Sequence, residues 1–256
     1  MANHPAHNLE PIVPLLKNIR KLLRRKADPL RLLARLAPAD LALRNLVHVG
    51  AHLAQERHDY EALGYRDMLW IEGSREVHAR LVDTLAAHEQ EASTGSRQRG
   101  SGEPARHRSA CALLTDRDGA EVGLREFSND GMSSSIFAAT STLRERWPAV
   151  QETGREERVR TSTLDTLLAQ LGFGPVDVLV VDVQGAEMLV LKGASRTLQQ
   201  VKAVVSEVST QALYDGGVLF PELETFMHAQ GFEAMSVPRR HGDMLFVHRE
   251  RYGRGA

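Results

Sequence analysis

Short apolar runs alternate with amphipathic segments along most of the chain, from residue 46 to residue 248. Runs rich in Val, Leu and Ile predict β-strands, and apolar residues that recur every three or four positions predict helices. The predicted strands cover 46–50, 67–72, 109–114, 121–127, 158–161, 176–181, 201–208, 233–237 and 244–248. The predicted helices cover 54–63, 75–88, 163–170, 186–191 and 221–230.

This alternation predicts an α/β fold with a mostly parallel, Rossmann-like sheet and helices on both faces. The run VDVLVV at 176–181 lacks polar alternation, which is typical of an inner strand that helices cover on both sides. The last two strands are joined by residues 238–243, and a connection this short permits only an antiparallel pair. We therefore expect a parallel sheet that ends in an antiparallel strand.

The first 45 residues form a segment of their own. Apolar residues at 12, 15, 16, 19, 22 and 23 share one helix face, and lysines and arginines cover the rest. This predicts a basic amphipathic helix over 12–26, which either packs on its own domain or lies on an anionic membrane surface. A second short helix is expected over 30–36.

The remainder, 46–256, is predicted to be one domain. Within it, residues 89–107 read EQEASTGSRQRGSGEPARH. This polar stretch has nothing to bury, so we expect a mobile surface loop there.

Composition narrows the range of partners. The net charge of −1 gives no overall attraction to nucleic acid, so no such partner is expected. The single cysteine, Cys111, excludes an intrachain disulfide and a multi-cysteine metal site. No apolar run reaches the roughly 18 residues of a membrane span and no signal peptide is visible. We expect a cytoplasmic protein whose one membrane contact would be peripheral, through residues 12–26; the oligomeric state stays open.

Candidate chemistry lies where the predicted parallel strands end, because ligands of open α/β sheets bind outside the carboxyl ends of the strands. Four of the five strand ends carry a carboxylate, which favours a crevice for a polar ligand. The residues at these ends are Gly50-Ala51-His52, Glu72-Gly73, Thr115-Asp116, Asp182-Val183-Gln184-Gly185 and Glu207.

Glu72 indicates the kind of ligand. It follows Gly50 by 22 residues, the place of an acid that accepts hydrogen bonds from the ribose hydroxyls of an adenosine cofactor. A dinucleotide also requires a G-x-G-x-x-G turn around its pyrophosphate, and two of those three glycines are missing after Gly50. S-adenosylmethionine has no phosphates, so one glycine turn and the acid suffice. An NAD-dependent oxidoreductase is thus the disfavoured alternative.

A set of motifs resembles the FkbM family of S-adenosylmethionine-dependent methyltransferases. They are VHVGAH (47–52), QE (55–56), WIE (70–72), GMSSS (131–135), LD (164–165), DVQGAE (182–187), VLKGA (190–194), GD (242–243) and Phe246. The resemblance spans 46–248 and implies a class I methyltransferase fold that methylates a hydroxyl of a sugar, glycolipid or secondary metabolite. The cofactor residues that it implies, together with the strand-end residues, are Gly50, Ala51, His52, Glu56, Glu72, Gly73, Thr115, Asp116 and Asp182. One departure is Ala54, where the family usually has glycine; its methyl group could crowd the cofactor.

Methyl transfer to an aliphatic hydroxyl needs alignment of the reacting atoms and a base for the hydroxyl proton. Asp182, at the end of the central strand, is our first candidate for the base, Glu207 the second and His241 the third. Asp182 could equally bind the cofactor's amino group or cap the next helix, and Glu187 is expected to serve its helix dipole. Asp182, Glu207 and Asp243 could hold a divalent cation. No spacing motif supports one, so no metal is expected.

The acceptor, a small molecule or a glycan, is expected to contact the hydroxyls of Ser133, Ser134 and Ser135 and the ring of Tyr214. The alternative is that the serines belong to an ordinary loop and that Tyr214 is a partly buried side chain, with no role in binding the acceptor. A further alternative is a non-catalytic module that binds membranes through the basic N-terminal helix.

Overall fold

The computed structural model describes residues 28–38, 41–93, 104–236 and 240–252. Its strands are β1 (Asn45–Val49), β2 (Asp67–Glu72), β3 (Arg106–Cys111), β4 (Leu113–Leu114), β5 (Glu121–Phe127), β6 (Glu152–Ser162), β7 (Val178–Val181), β8 (Ala203–Ser209), β9 (Phe232–Ala234) and β10 (His241–His248). Its helices are α1 (Pro29–Leu36), α2 (Arg57–Ala62), α3 (Arg75–Ser93), α4 (Ser141–Arg146), α5 (Leu164–Leu171), α6 (Glu187–Lys192), α7 (Ser195–Leu198) and α8 (Phe220–Ala229). The helix predicted over 12–26, with its membrane contact, lies outside the described residues.

The main sheet has seven strands in the order β3-β2-β1-β7-β8-β10-β9. Strands β3, β2, β1, β7 and β8 run parallel, whereas β10 is antiparallel to both of its neighbours, β8 and β9. This confirms the predicted α/β fold and the antiparallel last pair. β7 lies between β1 and β8, and all four of its residues are buried, as the unbroken apolar run predicted.

A second sheet, in the order β4-β6-β5, corrects the prediction for residues 109–114. That stretch is two strands: β3 pairs with β2 in the main sheet, and Leu113–Leu114 pairs with β6. β6 is also longer than the predicted 158–161. Its N-terminal half is exposed and charged, so it carries no apolar signal. The residues after Leu114 therefore follow the small sheet instead of the main one.

Three predicted boundaries are wrong: the end of α3, the start of β3 and the start of α2. α3 continues to Ser93, so residues 89–93 of the predicted loop are helical, and 106–107 belong to β3. Glu, Gln and Ala are strong helix formers, and they prolong the exposed end of α3 although nothing there is buried. α2 begins at Arg57 because the turn before it contains His52 and Ala54 with positive φ, 45° and 51°, which no helix accommodates.

The core has one apolar cluster on each face of the main sheet. One contains Val49, Ile71 and Val181 with the residues of α5, α6 and α8, and the other contains Trp70, Val180 and the residues of α1. Both clusters end at the carboxyl edge of the parallel strands, where polar side chains begin. Among the described residues, none of the helices has the length and apolar character needed to cross a bilayer.

Candidate active site

A cleft opens at the carboxyl ends of β1, β2 and β7. Gly50 turns the chain away from β1 with φ +81°, and a Cβ built there would lie 1.7 Å from the carbonyl oxygen of Asp182. Only glycine permits this approach of the two strand ends. A Cβ built at Gly73 would lie 2.9 Å from the Leu113 Cδ1 atom, which is the end of a flexible side chain and not backbone. The two glycines therefore leave the turns after β1 and β2 without side chains where they line the cleft.

Glu72 lies in this cleft at the end of β2. Its Oε2 accepts a hydrogen bond from the His52 amide at 3.0 Å, and its Oε1 accepts one from the Ser74 amide at 2.9 Å. Burial raises the pKa of Glu72, and these two amides oppose that shift. Each carboxylate oxygen keeps a second lone pair, so the side chain can still accept hydroxyl donors.

His52 ties the first turn to the segment 128–140. Its Nε2 lies 2.9 Å from the carbonyl oxygen of Asp130, and its Nδ1 lies 2.7 Å from the Gln55 amide nitrogen. If Gln55 donates to Nδ1, then Nε2 carries the proton that Asp130 accepts. The predicted cofactor residue His52 thus positions a loop over the cleft.

Three carboxyls converge beside the cleft, on β7, α6 and β8. Ligand oxygens of Asp182, Glu187 and Glu207 all lie within 4.8 Å of one another. Burial and the neighbouring Glu207 raise the pKa of Asp182 well above its usual range, and burial and Glu187 do the same for Glu207. Desolvation and the neighbouring carboxyls make each of these carboxylates a stronger proton acceptor than a carboxylate in water, which is the property that a general base requires.

Glu187 has a different role from the other two. Its Oε1 accepts the backbone amides of Val183 and Gly185, both at 3.1 Å, so the carboxyl closes the turn that precedes α6. Its side chain is buried, and burial raises its pKa as well. The position of Glu187 agrees with its expected role at the start of its helix, and it also places a third acidic side chain in the cluster.

Gln184 is a strand-end residue to which the sequence analysis assigned no role in the site. Its Nε2 donates to Asp182 Oδ1 at 2.5 Å and lies 3.2 Å from Glu207 Oε2. The Tyr214 hydroxyl donates to Gln184 Oε1 at 2.7 Å. The sequence motif showed a polar residue in a turn, and only the fold reveals that its amide reaches both acids.

His241, the third candidate for the base, lies at the start of β10 with its Nε2 3.1 Å from Glu207 Oε1. Burial and the nearby Arg146 lower its pKa. Its ring meets the Trp147 ring edge-on at 5.3 Å between centroids. A small cavity lined by Glu207, Tyr214 and His241, among others, opens on this side of the acids, away from Glu72.

The predicted acceptor residues separate in the structure. Ser134 and Ser135 line the cleft, whereas Ser133 does not, and its hydroxyl accepts a hydrogen bond from the Asn129 side chain at 2.8 Å. Ser135 is buried, and its hydroxyl donates to the Gln184 carbonyl at 2.7 Å. Tyr214 is also buried, with its hydroxyl engaged by Gln184. Two of the three serines and the tyrosine therefore hold the loop and the Gln184 turn in place.

Four predicted cofactor residues are not brought to the cleft: Ala51, Glu56, Thr115 and Asp116. Ala51 is buried in an apolar cluster on one face of the main sheet. The Thr115 hydroxyl is buried and donates to the Arg117 carbonyl at 3.1 Å, and Asp116 pairs with the Arg117 side chain at 3.3 Å. The reason is the strand break described above, which puts Leu113 and Leu114 on the cleft wall instead. Glu56 precedes α2, where burial and the nearby Asp243 raise its pKa.

Ala54 does not crowd the cleft. Its side chain is fully buried in the apolar cluster that contains Ala51 and Tyr60. The cost of alanine at this position lies in the backbone, because φ of 51° is a left-handed conformation that glycine adopts more readily. The expected contact between this methyl group and the cofactor is therefore wrong.

A second polar cluster lies outside the cleft, between α2, α3 and β3. Glu61 Oε1 lies 2.5 Å from His88 Nε2 and 2.9 Å from His107 Nε2. The Trp70 indole donates to His107 Nδ1 at 3.0 Å, so Nε2 carries the proton offered to Glu61. Burial raises the pKa of Glu61, but the two histidine bonds outweigh it and lower the pKa to about 2. The cluster is a buried hydrogen-bond network that joins two helices to the sheet edge.

Comparison with known proteins gives matches of two kinds. Among curated proteins, the 2-O-methyltransferase NoeI of Sinorhizobium fredii (strain NBRC 101917 / NGR234) is 38% identical over 58 residues, which are 23% of this chain and 24% of NoeI. Among solved structures, a methyltransferase FkbM from Methylobacillus flagellatus KT is 12% identical over 92% of this chain and 58% of that chain, with a TM-score of 0.48. A putative tRNA (m1A22) methyltransferase of Streptococcus pneumoniae, in complex with S-adenosyl-L-methionine, is 12% identical over 86% and 71%, with a TM-score of 0.39.

The match that decides the family is the methyltransferase FkbM domain, which aligns with residues 48–234. This range includes every strand from β2 to β9 and the three acids Glu72, Asp182 and Glu207. Since it covers well over half of the chain, the protein belongs to the methyltransferase FkbM family.

Proposed function

We propose that the chain is an S-adenosylmethionine-dependent O-methyltransferase that methylates a hydroxyl of a small-molecule or glycan acceptor. The observation that supports this most strongly is the pair of desolvated carboxyls, Asp182 and Glu207, at the carboxyl ends of two adjacent central strands. They lie next to a cleft that presents the acid and the glycine turn of an adenosine site.

The chemistry of the cleft fits the cofactor. Glu72 would accept the ribose hydroxyls, and Gly50 leaves the first turn free of a side chain. Leu113 and Leu124 supply apolar walls for the adenine. The described part of the cleft offers no glycine-rich cradle for a pyrophosphate, which again disfavours NAD. When bound, S-adenosylmethionine supplies an electrophilic methyl group on a sulfonium.

Asp182 is the preferred base. Asp182 is one of the residues that line the cleft, whereas Glu207 lines the small cavity on the far side of the pair. An aliphatic hydroxyl attacks well only if its proton leaves as the new bond forms, and a carboxylate of raised pKa is a stronger acceptor for that proton than an ordinary carboxylate. Asp182 would then pass the proton on to Glu207 or His241, because His241 Nε2 and Glu207 Oε1 already lie 3.1 Å apart.

The acidic cluster also bears on the acceptor. Whichever of Asp182, Glu187 and Glu207 is ionised would repel a phosphate group placed next to it, which favours a neutral or cationic group of the acceptor at this position. The relative NoeI is a 2-O-methyltransferase by name, and its 58 aligned residues support transfer to oxygen.

A screen with methyl-labelled S-adenosylmethionine tests the proposal. The full-length protein is incubated with glycans, glycolipids and small metabolites extracted from the source cells, and labelled products are analysed for the methylated atom. We expect label on a hydroxyl oxygen with wild-type protein, loss of label with Asp182→Asn, and retention with the surface control Glu89→Gln. Label found only on nitrogen or carbon would refute O-methylation, and label found only on nucleic acid would refute a small-molecule or glycan acceptor.

A further inference from the structure

The amide of Gln184 lies between the two acids that we assign to the reaction. Its nitrogen is 2.5 Å from Asp182 Oδ1 and 3.2 Å from Glu207 Oε2. An amide nitrogen has two hydrogens, so one can point at each carboxyl. No water or second side chain is needed to link the pair.

The orientation of this amide is fixed from its other end. Tyr214 donates its hydroxyl to Gln184 Oε1 at 2.7 Å. A flipped amide would point its oxygen at both carboxyls and its hydrogens at the tyrosine, which electrostatic repulsion disfavours. Tyr214 itself is held by close packing, since Cβ atoms built at Gly185 and Gly217 would lie 3.0 and 3.3 Å from its Cβ atom.

The backbone of Gln184 is also held in an uncommon conformation. Its φ is 55°, a left-handed value that costs a residue with a side chain about 1 kcal/mol. The Ser135 hydroxyl donates to its carbonyl at 2.7 Å and helps to keep that conformation. Strain of this kind persists where the surroundings determine the geometry, and it is common at functional sites.

We infer that Gln184 is a positioning residue: its amide, oriented by the Tyr214 hydroxyl, donates one hydrogen bond to Asp182 and one to Glu207 and holds the two carboxyls in the arrangement in which Asp182 accepts the acceptor's proton. This inference rests on the proposed function. It assigns Tyr214 to orienting Gln184 instead of to contact with the acceptor.

The physical consequence is a coupled pair of acids. Two adjacent desolvated carboxyls share protons, and they titrate with apparent pKa values that belong to the pair. Hydrogen bonds from Gln184 stabilise the ionised form and so lower the pKa of both carboxyls. Loss of the amide should raise these pKa values further and so reduce the ionised fraction of the pair at any given pH.

Carboxyl titration by NMR measures this without any acceptor. The full-length protein carries 13C-labelled Asp and Glu side chains, and the two resonances are assigned with Asp182→Asn and Glu207→Gln. The main variant is Gln184→Asn, because asparagine tolerates left-handed φ and keeps the amide but is one methylene too short to reach both acids. Tyr214→Phe keeps the ring and removes only the orienting hydroxyl. Gln200→Asn, on the exposed surface, and Tyr60→Phe, which loses a buried bond to His48, are the matched controls.

We expect Gln184→Asn to move the upper apparent pKa of the pair upward by about one pH unit, as the loss of one charge-assisted hydrogen bond implies. Tyr214→Phe should shift it by less in the same direction, and the controls should leave it in place. A pair that titrates identically in wild type and in both variants would overturn the inference.

S-adenosylmethionine calorimetry on the same samples separates the two claims. If wild type binds the cofactor and the carboxyl pair has the same apparent pKa values in wild type and in both variants, the inference fails and the proposed function stands. If the titration shifts as expected but wild type does not bind the cofactor, the proposed function fails, and with it the catalytic meaning of Gln184.

Discussion

Replacement of Glu72 by glutamine tests the cofactor site with the smallest change of shape. The carboxylate accepts the amides of His52 and Ser74, one on each oxygen, and is proposed to accept two ribose hydroxyls on the remaining lone pairs. Glutamine has one acceptor oxygen and an NH2 group in place of the other. The variant therefore loses one charge-assisted bond to the ribose, and one backbone amide loses its acceptor.

The size of the effect follows from these bonds. A hydrogen bond to a charged group contributes about 1.5–3 kcal/mol. Each 1.4 kcal/mol is about tenfold in affinity, so Glu72→Gln should bind S-adenosylmethionine roughly 10- to 150-fold more weakly than wild type. The same reasoning sets the pH dependence. Burial raises the pKa of Glu72, so wild-type affinity should fall as pH drops through that raised value, and the variant should lack this dependence.

Isothermal titration calorimetry at several pH values measures both effects. Glu89→Gln, an exposed change of the same chemistry at the far end of α3, is the matched control and should bind like wild type. Circular dichroism checks that the variants are folded. Binding by Glu72→Gln within twofold of wild type, with an unchanged pH dependence, would refute the assignment of this acid to the ribose.

Three further substitutions separate binding, turnover and stability. Gly50→Ala should lower the free energy of unfolding by about 3 kcal/mol and abolish cofactor binding, whereas Gly64→Ala, with the same sign of φ and open space around it, should cost about 1 kcal/mol in thermal melts. Asp182→Asn should lower turnover at least about 100-fold with little change in cofactor affinity. Because folding raises the pKa of Asp182, ionisation of its carboxyl at higher pH destabilises the folded wild type. The melting temperature of Asp182→Asn should therefore rise relative to that of wild type between pH 5 and pH 8. The same difference in melting temperature between the two proteins at both pH values would contradict this. Asp165→Ala removes the acceptor of the Thr197 amide and hydroxyl and should cost about 2 kcal/mol of stability with unchanged cofactor binding by calorimetry.

The sequence predicted the fold where the local pattern and the tertiary environment agree. The apolar run of β7 predicted an inner strand, and the short link before β10 predicted an antiparallel pair. Both predictions are confirmed. The division of 109–114 into β3 and β4 could not be predicted, because the partner of Leu113 and Leu114 is β6, a strand nearly 50 residues away with an exposed, charged half. The misplacement of Thr115 and Asp116 follows from that one break.

The candidate site was predictable only at the strand ends. Gly50, Glu72, Asp182 and Glu207 each lie at or near the carboxyl end of a parallel strand, and parallel strands bring such residues to one edge. Gln184 was not predictable as a link between the acids, since its left-handed backbone and its contact with Tyr214 depend on the loop around Ser135. The role of the Ala54 methyl group was misjudged for a similar reason, because the direction of a side chain in a turn depends on dihedral angles that the sequence does not specify.

The central claim is that this cleft binds S-adenosylmethionine for methyl transfer. Calorimetric titration of the full-length protein with S-adenosylmethionine, and separately with NAD, tests it most directly. The account predicts binding of S-adenosylmethionine that Glu72→Gln weakens at least about tenfold, and no binding of NAD. Heat of binding with NAD alone would contradict the account.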